Sequence, residues 1–136
     1  MSLSYPRPNH NDTSNYLVGA IPYITSSLVI PASSGTPLAI TFPNVTQFIT
    51  VRCDDATNAV RVGFSENGVK ATEQNNYFTL TSSGSYTGEW RVGKIFLLSD
   101  TASASSATVI AGLTPVPGDQ IGGGIIANWS GSVGVG

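Results

Sequence analysis

The chain carries one cysteine, Cys53, and one histidine, His10, the only residues that could work together as thiol nucleophile and imidazole base. A Cys–His hydrolase needs the ring nitrogen within hydrogen-bond reach of the sulfur. His10 stands in an irregular stretch beside Pro8 and Asn9, whereas Cys53 falls in step with Ile49 and Val51. That places Cys53 on the apolar side of an alternating run, where a free cysteine behaves as a small buried hydrophobe. Metal chemistry is equally thin. No His/Cys spacing suits zinc. Asp54-Asp55 could join Asp100 or Asp119 around calcium, which takes six to eight oxygens, but adjacent acids in a polar turn are ordinarily solvated. Gly122-Gly123-Gly124 follows no strand and opens no helix, so it does not read as a phosphate cradle. Nothing among the eight acids singles out two for glycoside hydrolysis. The expectation is a chain with no catalytic residue, no metal and no cofactor. Four aromatics, Tyr77, Tyr86, Trp90 and Trp129, are candidates for a sugar-stacking platform. Trp90 alternates in step with Val92 and is expected in the core; Tyr77 is expected to face outward.

The elements that would carry these residues read as strands. No 3.6-residue apolar stripe is present, and 15 glycines and 8 prolines interrupt the chain. Period-2 alternation recurs instead: Ile49, Val51 and Cys53 against Thr50 and Arg52; Val60, Val62 and Phe64 against Arg61; Phe78 and Leu80 against Tyr77 and Thr79; Trp90 and Val92 against Glu89 and Arg91. Each pattern fits a strand with one face in the core. Pro22 to Ile30, Leu38 to Phe42, Ala107 to Leu113 and a short run at Tyr16 to Ala20 read as further strands. Lys94 to Ser99 is apolar on both faces, which predicts a central strand or one buried at an interface. Gly93 would be a bulge joining it to Trp90 in one long strand. Turn clusters separate the runs: Ser33-Ser34-Gly35, Asp54 to Asn58, Glu66-Asn67-Gly68, Ser82 to Ser85 and Ser99 to Ser103. Asn67-Gly68 suits a turn with positive φ. The fold class that follows is all-β: an antiparallel sandwich, an eight-stranded single jelly roll with no helix longer than two turns. One cysteine excludes the disulfide form of the immunoglobulin framework. The expected core is Ile49, Val51, Val60, Val62, Phe64, Phe78, Leu80, Trp90, Val92, Phe96, Val109 and Leu113.

Composition bounds the partners. The chain has 136 residues, room for one domain. Only 10% of the residues are charged, against about 25% in an ordinary soluble domain. Serine (17) and threonine (14) take their place. The net charge is −2, and the six cations are scattered, with no basic stripe for nucleic acid. No apolar run approaches the ~20 residues of a membrane span, and the N-terminus shows no secretory signal. So few charges let copies approach one another. Three sequons, at Asn11, Asn44 and Asn128, stand where roughly two would arise by chance in a chain this rich in Asn, Ser and Thr, so they are weak evidence of glycosylation.

The ends differ from the middle. Three segments are expected: an N-terminal arm over 1–20, the jelly roll over 21–114, and a Gly-rich C-terminal arm over 115–136. The C-terminal arm intersperses Ile121, Ile125, Ile126 and Trp129 among its glycines, unlike a flexible Gly/Ser linker. Such an arm could order against a neighbouring subunit or remain a disordered tail. Tyr5, Arg7 and Tyr16 on the first arm, with those four on the second, are the candidate subunit-interface residues.

Several stretches carry a resemblance: Phe42-Pro43-Asn44-Val45-Thr46-Gln47-Phe48-Ile49-Thr50-Val51, Val60-Arg61-Val62-Gly63-Phe64-Ser65-Glu66-Asn67-Gly68-Val69, Asn76-Tyr77-Phe78-Thr79-Leu80, and Ile110-Ala111-Gly112-Leu113-Thr114. Across residues 22 to 114 the chain resembles the small single-jelly-roll capsid proteins of large icosahedral double-stranded DNA viruses, in particular the penton proteins at five-fold vertices. The resemblance implies a structural virion protein, located in the capsid and assembled inside the host cell. It further implies a pentamer that contacts neighbouring capsid proteins, with no direct nucleic-acid contact. Two other classes stay open: a receptor- or carbohydrate-binding sandwich, such as a virion fibre or decoration protein, and a small enzyme on a β scaffold.

Overall fold

The computed structural model describes residues 20–71, 75–117, 129, 131 and 133–136. Eight strands and one short helix follow one another as β1 (Ile21–Ile30), β2 (Leu38–Thr41), β3 (Asn44–Cys53), β4 (Val60–Gly63), α1 (Glu66–Lys70), β5 (Tyr77–Leu80), β6 (Ser85–Gly88), β7 (Lys94–Ser99) and β8 (Ser105–Pro117). They form two four-stranded sheets, ordered β1-β8-β3-β6 and β2-β7-β4-β5. Every pairing is antiparallel. β1 lies beside β8, β2 beside β7, β3 beside β6 and β4 beside β5, four nested pairs of one ribbon rolled into two layers. That is the expected jelly roll.

The alternation explains which face each strand buries. Ile49, Val51 and Cys53 of β3 and Val109, Ala111 and Leu113 of β8 point inward from the first sheet, against Val60, Val62, Ile95 and Leu97 from the second. β7 reads as apolar on both faces because both faces are covered. Ile95 and Leu97 enter the sandwich, while Phe96 and Leu98 on the outer face are roofed by Val69 of α1, with Tyr77 alongside. A five-residue helix cannot stand alone, and this roofing holds it. Ser65 caps it by accepting a hydrogen bond from the Gly68 N–H at 2.9 Å.

Four expectations need correction. Asn67-Gly68 lies inside α1, not in a positive-φ turn: the Ser65 cap and the apolar outer face of β7 draw the segment into a helix. A Cβ on Gly68 would come within 2.5 Å of the Val135 carbonyl oxygen, so close approach is what requires glycine there. Trp90–Val92 is not a strand, and Gly93 does not join it to β7 as one long strand; the segment crosses from β6 to β7. The chain uses Ser85–Gly88 as the edge strand instead, pairing Val51 with Tyr86 and Ile49 with Gly88. Finally, Phe64, Phe78 and Trp90 are half-buried, packed against the core's edge, whereas the other nine expected core residues are buried. β8 runs on to Pro117. The short run at Tyr16 to Ala20 falls, apart from Ala20, outside the described residues, as do Tyr5, Arg7, Tyr16, Ile121, Ile125 and Ile126.

Candidate functional site

Two features stand apart from the packed sandwich. The first is the crossing segment Glu89–Arg91. Gly88 of β6 points inward opposite Ile49 and leaves a gap in the layer. The Trp90 indole fills it; a Cβ on Gly88 would fall 2.3 Å from Trp90 Cζ2. Around the indole, Tyr86 stacks at 5.7 Å, Phe64 meets it edge-on at 4.9 Å, and Phe78 lies at 6.0 Å. Offset and edge-to-face pairs of this kind are the favoured geometries. From the other side Thr46, 2% exposed, holds the backbone of the segment. Its hydroxyl faces the carbonyls of Trp90 at 2.6 Å and Val92 at 3.0 Å, and accepts from the Val92 N–H at 3.2 Å.

The C-terminal end of the chain meets this segment. The Trp129 indole N–H donates to the Arg91 carbonyl at 2.7 Å, and the Arg91 guanidinium lies over the Trp129 ring at 5.5 Å. Ser65 Oγ donates to the Val135 carbonyl at 2.8 Å. Trp129 is thus the one candidate interface residue among those described, and it packs on its own sandwich. A cavity of about 340 Å³ opens between Phe64, Trp90, Trp129 and Val135, with Glu89 and Arg91 as its charged groups. A second, of about 180 Å³, lies on the far side of Glu89–Arg91 against Thr46 and Gln47.

The second feature is the outer face of the β1-β8-β3-β6 sheet. Ile24 is 68% exposed, Val29 75% and Ile110 41%. Ile24 and Ile110 are register partners on adjacent strands, so their side chains stand side by side. Next to them Phe48 lies across Gly112, where a Cβ would meet its ring at 2.3 Å. The charged groups described on this sheet, Arg52 and Asp54, sit together at its end, 2.7 Å apart.

The other expected candidates separate. Cys53 is fully buried, its thiol facing the carbonyls of Asn58 at 3.5 Å and Asp55 at 3.7 Å; His10 lies outside the described residues. Asp54 is held by Arg52 and by Thr108 Oγ1 at 2.6 Å, Asp55 by the N–H groups of Thr57 and Asn58 at 2.8 Å, and Asp100 by Arg61 at 2.7 Å. Among the described residues no three His, Cys, Asp or Glu side chains converge. Tyr77 faces outward, as expected, and is half-buried under the Arg61 guanidinium, 4.8 Å from its ring centre. It lies on the outer face of the other sheet, away from Tyr86, Trp90 and Trp129, which the fold brings together. The Asn44 sequon is folded in: Asn44 Nδ2 donates to the Thr114 carbonyl at 2.8 Å, and Thr46 is buried.

The acids carry a pH signature. The Thr108 hydrogen bond, then Arg52, holds the Asp54 carboxyl below its ordinary value, and the Thr57 and Asn58 N–H groups do the same for Asp55. Both carboxyls therefore bind a proton more weakly folded than unfolded. The stability they lend is full above the unfolded value of about 3.9 and is lost as pH falls through the lower folded values. The expected thermal midpoint, followed by circular dichroism, is flat between about pH 5 and pH 8 and declines only below about pH 4. Asp54→Asn with Asp55→Asn should shrink that decline; an unchanged acid limb would contradict the assignment.

No family model matches the sequence, and no curated protein matches it. The chain is similar to the cyanophage Pam1 capsid asymmetric unit at 16% sequence identity, with a TM-score of 0.32, over 86% of this chain and 94% of that one.

Proposed function

We propose that this chain is a structural virion protein, a capsid subunit that assembles with copies of itself as the pentameric ring at a five-fold vertex. The observation that carries the reading is the apolar outer face of the β1-β8-β3-β6 sheet. Ile24, Val29 and Ile110 stand in water on this face, three of the five large aliphatic side chains exposed among the described residues. Soluble monomers rarely leave contiguous apolar patches uncovered. With 10% charged residues, little electrostatic repulsion opposes contact between copies. A closed ring uses heterologous contacts, so the patch on one copy meets a different surface on the next. The resemblance of residues 22–114 to single-jelly-roll capsid proteins supports the same reading. On this reading the subunit is not an enzyme and acts by contact alone; its neighbours in the shell are other capsid proteins.

The native mass of the full chain tests the proposal. A five-fold multiple is expected, with ring-shaped particles in electron micrographs and contacts above the ~1,000 Å² that marks a specific interface. A monomer at all accessible concentrations would overturn it.

A further inference from the structure

We infer that the cavity beside Trp90 and Trp129 is a binding subsite for a neutral saccharide, a property separate from assembly. Its volume of about 340 Å³ lies in the range of small-ligand pockets, which are mostly apolar with a few placed polar groups. Its walls have that composition: two indoles, Phe64 and Val135, with one carboxylate and one guanidinium.

The walls also say what kind of ligand fits. The Trp129 N–H is already engaged by the Arg91 carbonyl and one ring face by the Arg91 guanidinium, so this indole offers a partner its other face and its carbon edges. The electron-rich face of an aromatic ring attracts the weakly positive C–H face of a pyranose, as it attracts the positive edge of another ring. Trp90 is fixed by Thr46 behind it and by Tyr86 and Phe64 around it, so its position is set before any ligand arrives. A preorganised wall loses little entropy on binding.

The polar groups narrow the class further. Glu89 makes no ion pair or hydrogen bond among the described residues. Arg91 stacks on Trp129, and its N–H donors make no hydrogen bond or ion pair among the described residues. The two flank Trp90 in sequence and line the same cavity, one as acceptor and one as donor, and their charges cancel. An anionic ligand meets Glu89 and a cationic one meets Arg91. A ring bearing neutral hydroxyl groups both donates to the carboxylate and accepts from the guanidinium.

The test presents immobilised neutral and sialylated glycans to the full-length protein, with tryptophan fluorescence on the strongest binder. Neutral glycans should bind and quench the signal; their sialylated counterparts should bind more weakly. Trp129→Phe keeps an aromatic wall, and Glu89→Gln keeps the acceptor oxygen. Trp129→Ala and Arg91→Ala should each lower affinity by about ten-fold or more, with an unchanged circular dichroism spectrum. Trp129→Phe should keep much of it. The inference fails if no neutral glycan binds, or if Trp129→Ala and Arg91→Ala bind as the parent does. It also fails if the fluorescence responds to protein concentration instead of to glycan, which would make the cavity a contact between copies. Whether neutral glycan binds does not bear on the native mass, so this inference can fail while the assembly proposal stands.

Discussion

Ile24→Glu combined with Ile110→Glu is expected to leave the sandwich folded and to stop copies from associating. Both side chains point away from the core, since their strand neighbours Tyr23 and Ala111 are paired on the inner side. Neither change opens a cavity. The folding cost is that of two like charges directly opposite on adjacent strands, a few tenths to about 1 kcal/mol. The cost to association is far larger. Each carboxylate would have to leave water at a contact formed by an apolar face, a penalty of several kcal/mol per unpaired ion. Dissociation should weaken affinity by about a thousand-fold or more, which native mass and sedimentation would read as a shift to monomer. Ser82→Glu, in an exposed turn, is the control and should leave the oligomer intact. An unchanged oligomer in the double variant would show that this face is not the contact.

That face was only half legible in the sequence. The alternation of Val109, Ala111 and Leu113 already implies that Ile110 points outward. What the sequence conceals is that Ile24 and Val29, five positions apart, share its side. In a regular strand they would lie on opposite faces. The register of β1 slips between Thr25 and Leu28, where Ser27 takes a φ of 55°, and the extra residue reverses the parity. A bulge formed at Ser-Ser leaves no apolar signal. The sequence places its candidate interface on the arms, whose isoleucines and tryptophan are conspicuous; of those residues Trp129 alone lies among the described ones.

The site beside Trp90 was hidden for a related reason. Strands β3 and β4 announce themselves by apolar, buried residues alternating with polar ones, and β7 by a run apolar on both faces. β6 does not: its two inward positions are Tyr86 and Gly88, and the volume missing at Gly88 is supplied by an indole two residues further on. Trp90 alternates with Val92 as a strand residue would, so periodicity alone assigns it to a strand. The difference is made by Thr46, distant in sequence, whose hydroxyl takes up the backbone groups that a strand would have paired. No local pattern encodes such a contact. The helix α1 is similar, since Val69 is drawn onto β7 by Phe96 and Leu98, which lie nearly thirty positions along the chain.

Thr46→Val should therefore do more than its near-identical volume suggests. The methyl groups fill the same space, and no cavity forms. The substitution removes the hydroxyl that serves the Trp90 carbonyl and the Val92 N–H, while the Thr46 N–H still donates to the Val92 carbonyl at 3.0 Å. Two backbone groups, the buried Val92 N–H and the part-buried Trp90 carbonyl, lose this partner, each costing about 1–3 kcal/mol if water cannot replace it. A loss of about 2–4 kcal/mol in unfolding free energy is expected from urea titration, with the slope unchanged. Thr46→Ser, which retains the oxygen and deletes one methyl, should recover most of it. Because Glu89–Arg91 is what this hydroxyl holds, the valine variant should also lose affinity for neutral glycan under conditions where it remains folded. Its native mass should match that of the parent, since Ile24, Val29 and Ile110 are untouched. Full stability in Thr46→Val would mean that water or a shift of the segment satisfies the Trp90 and Val92 groups, and that Thr46 does not fix the position of the indole.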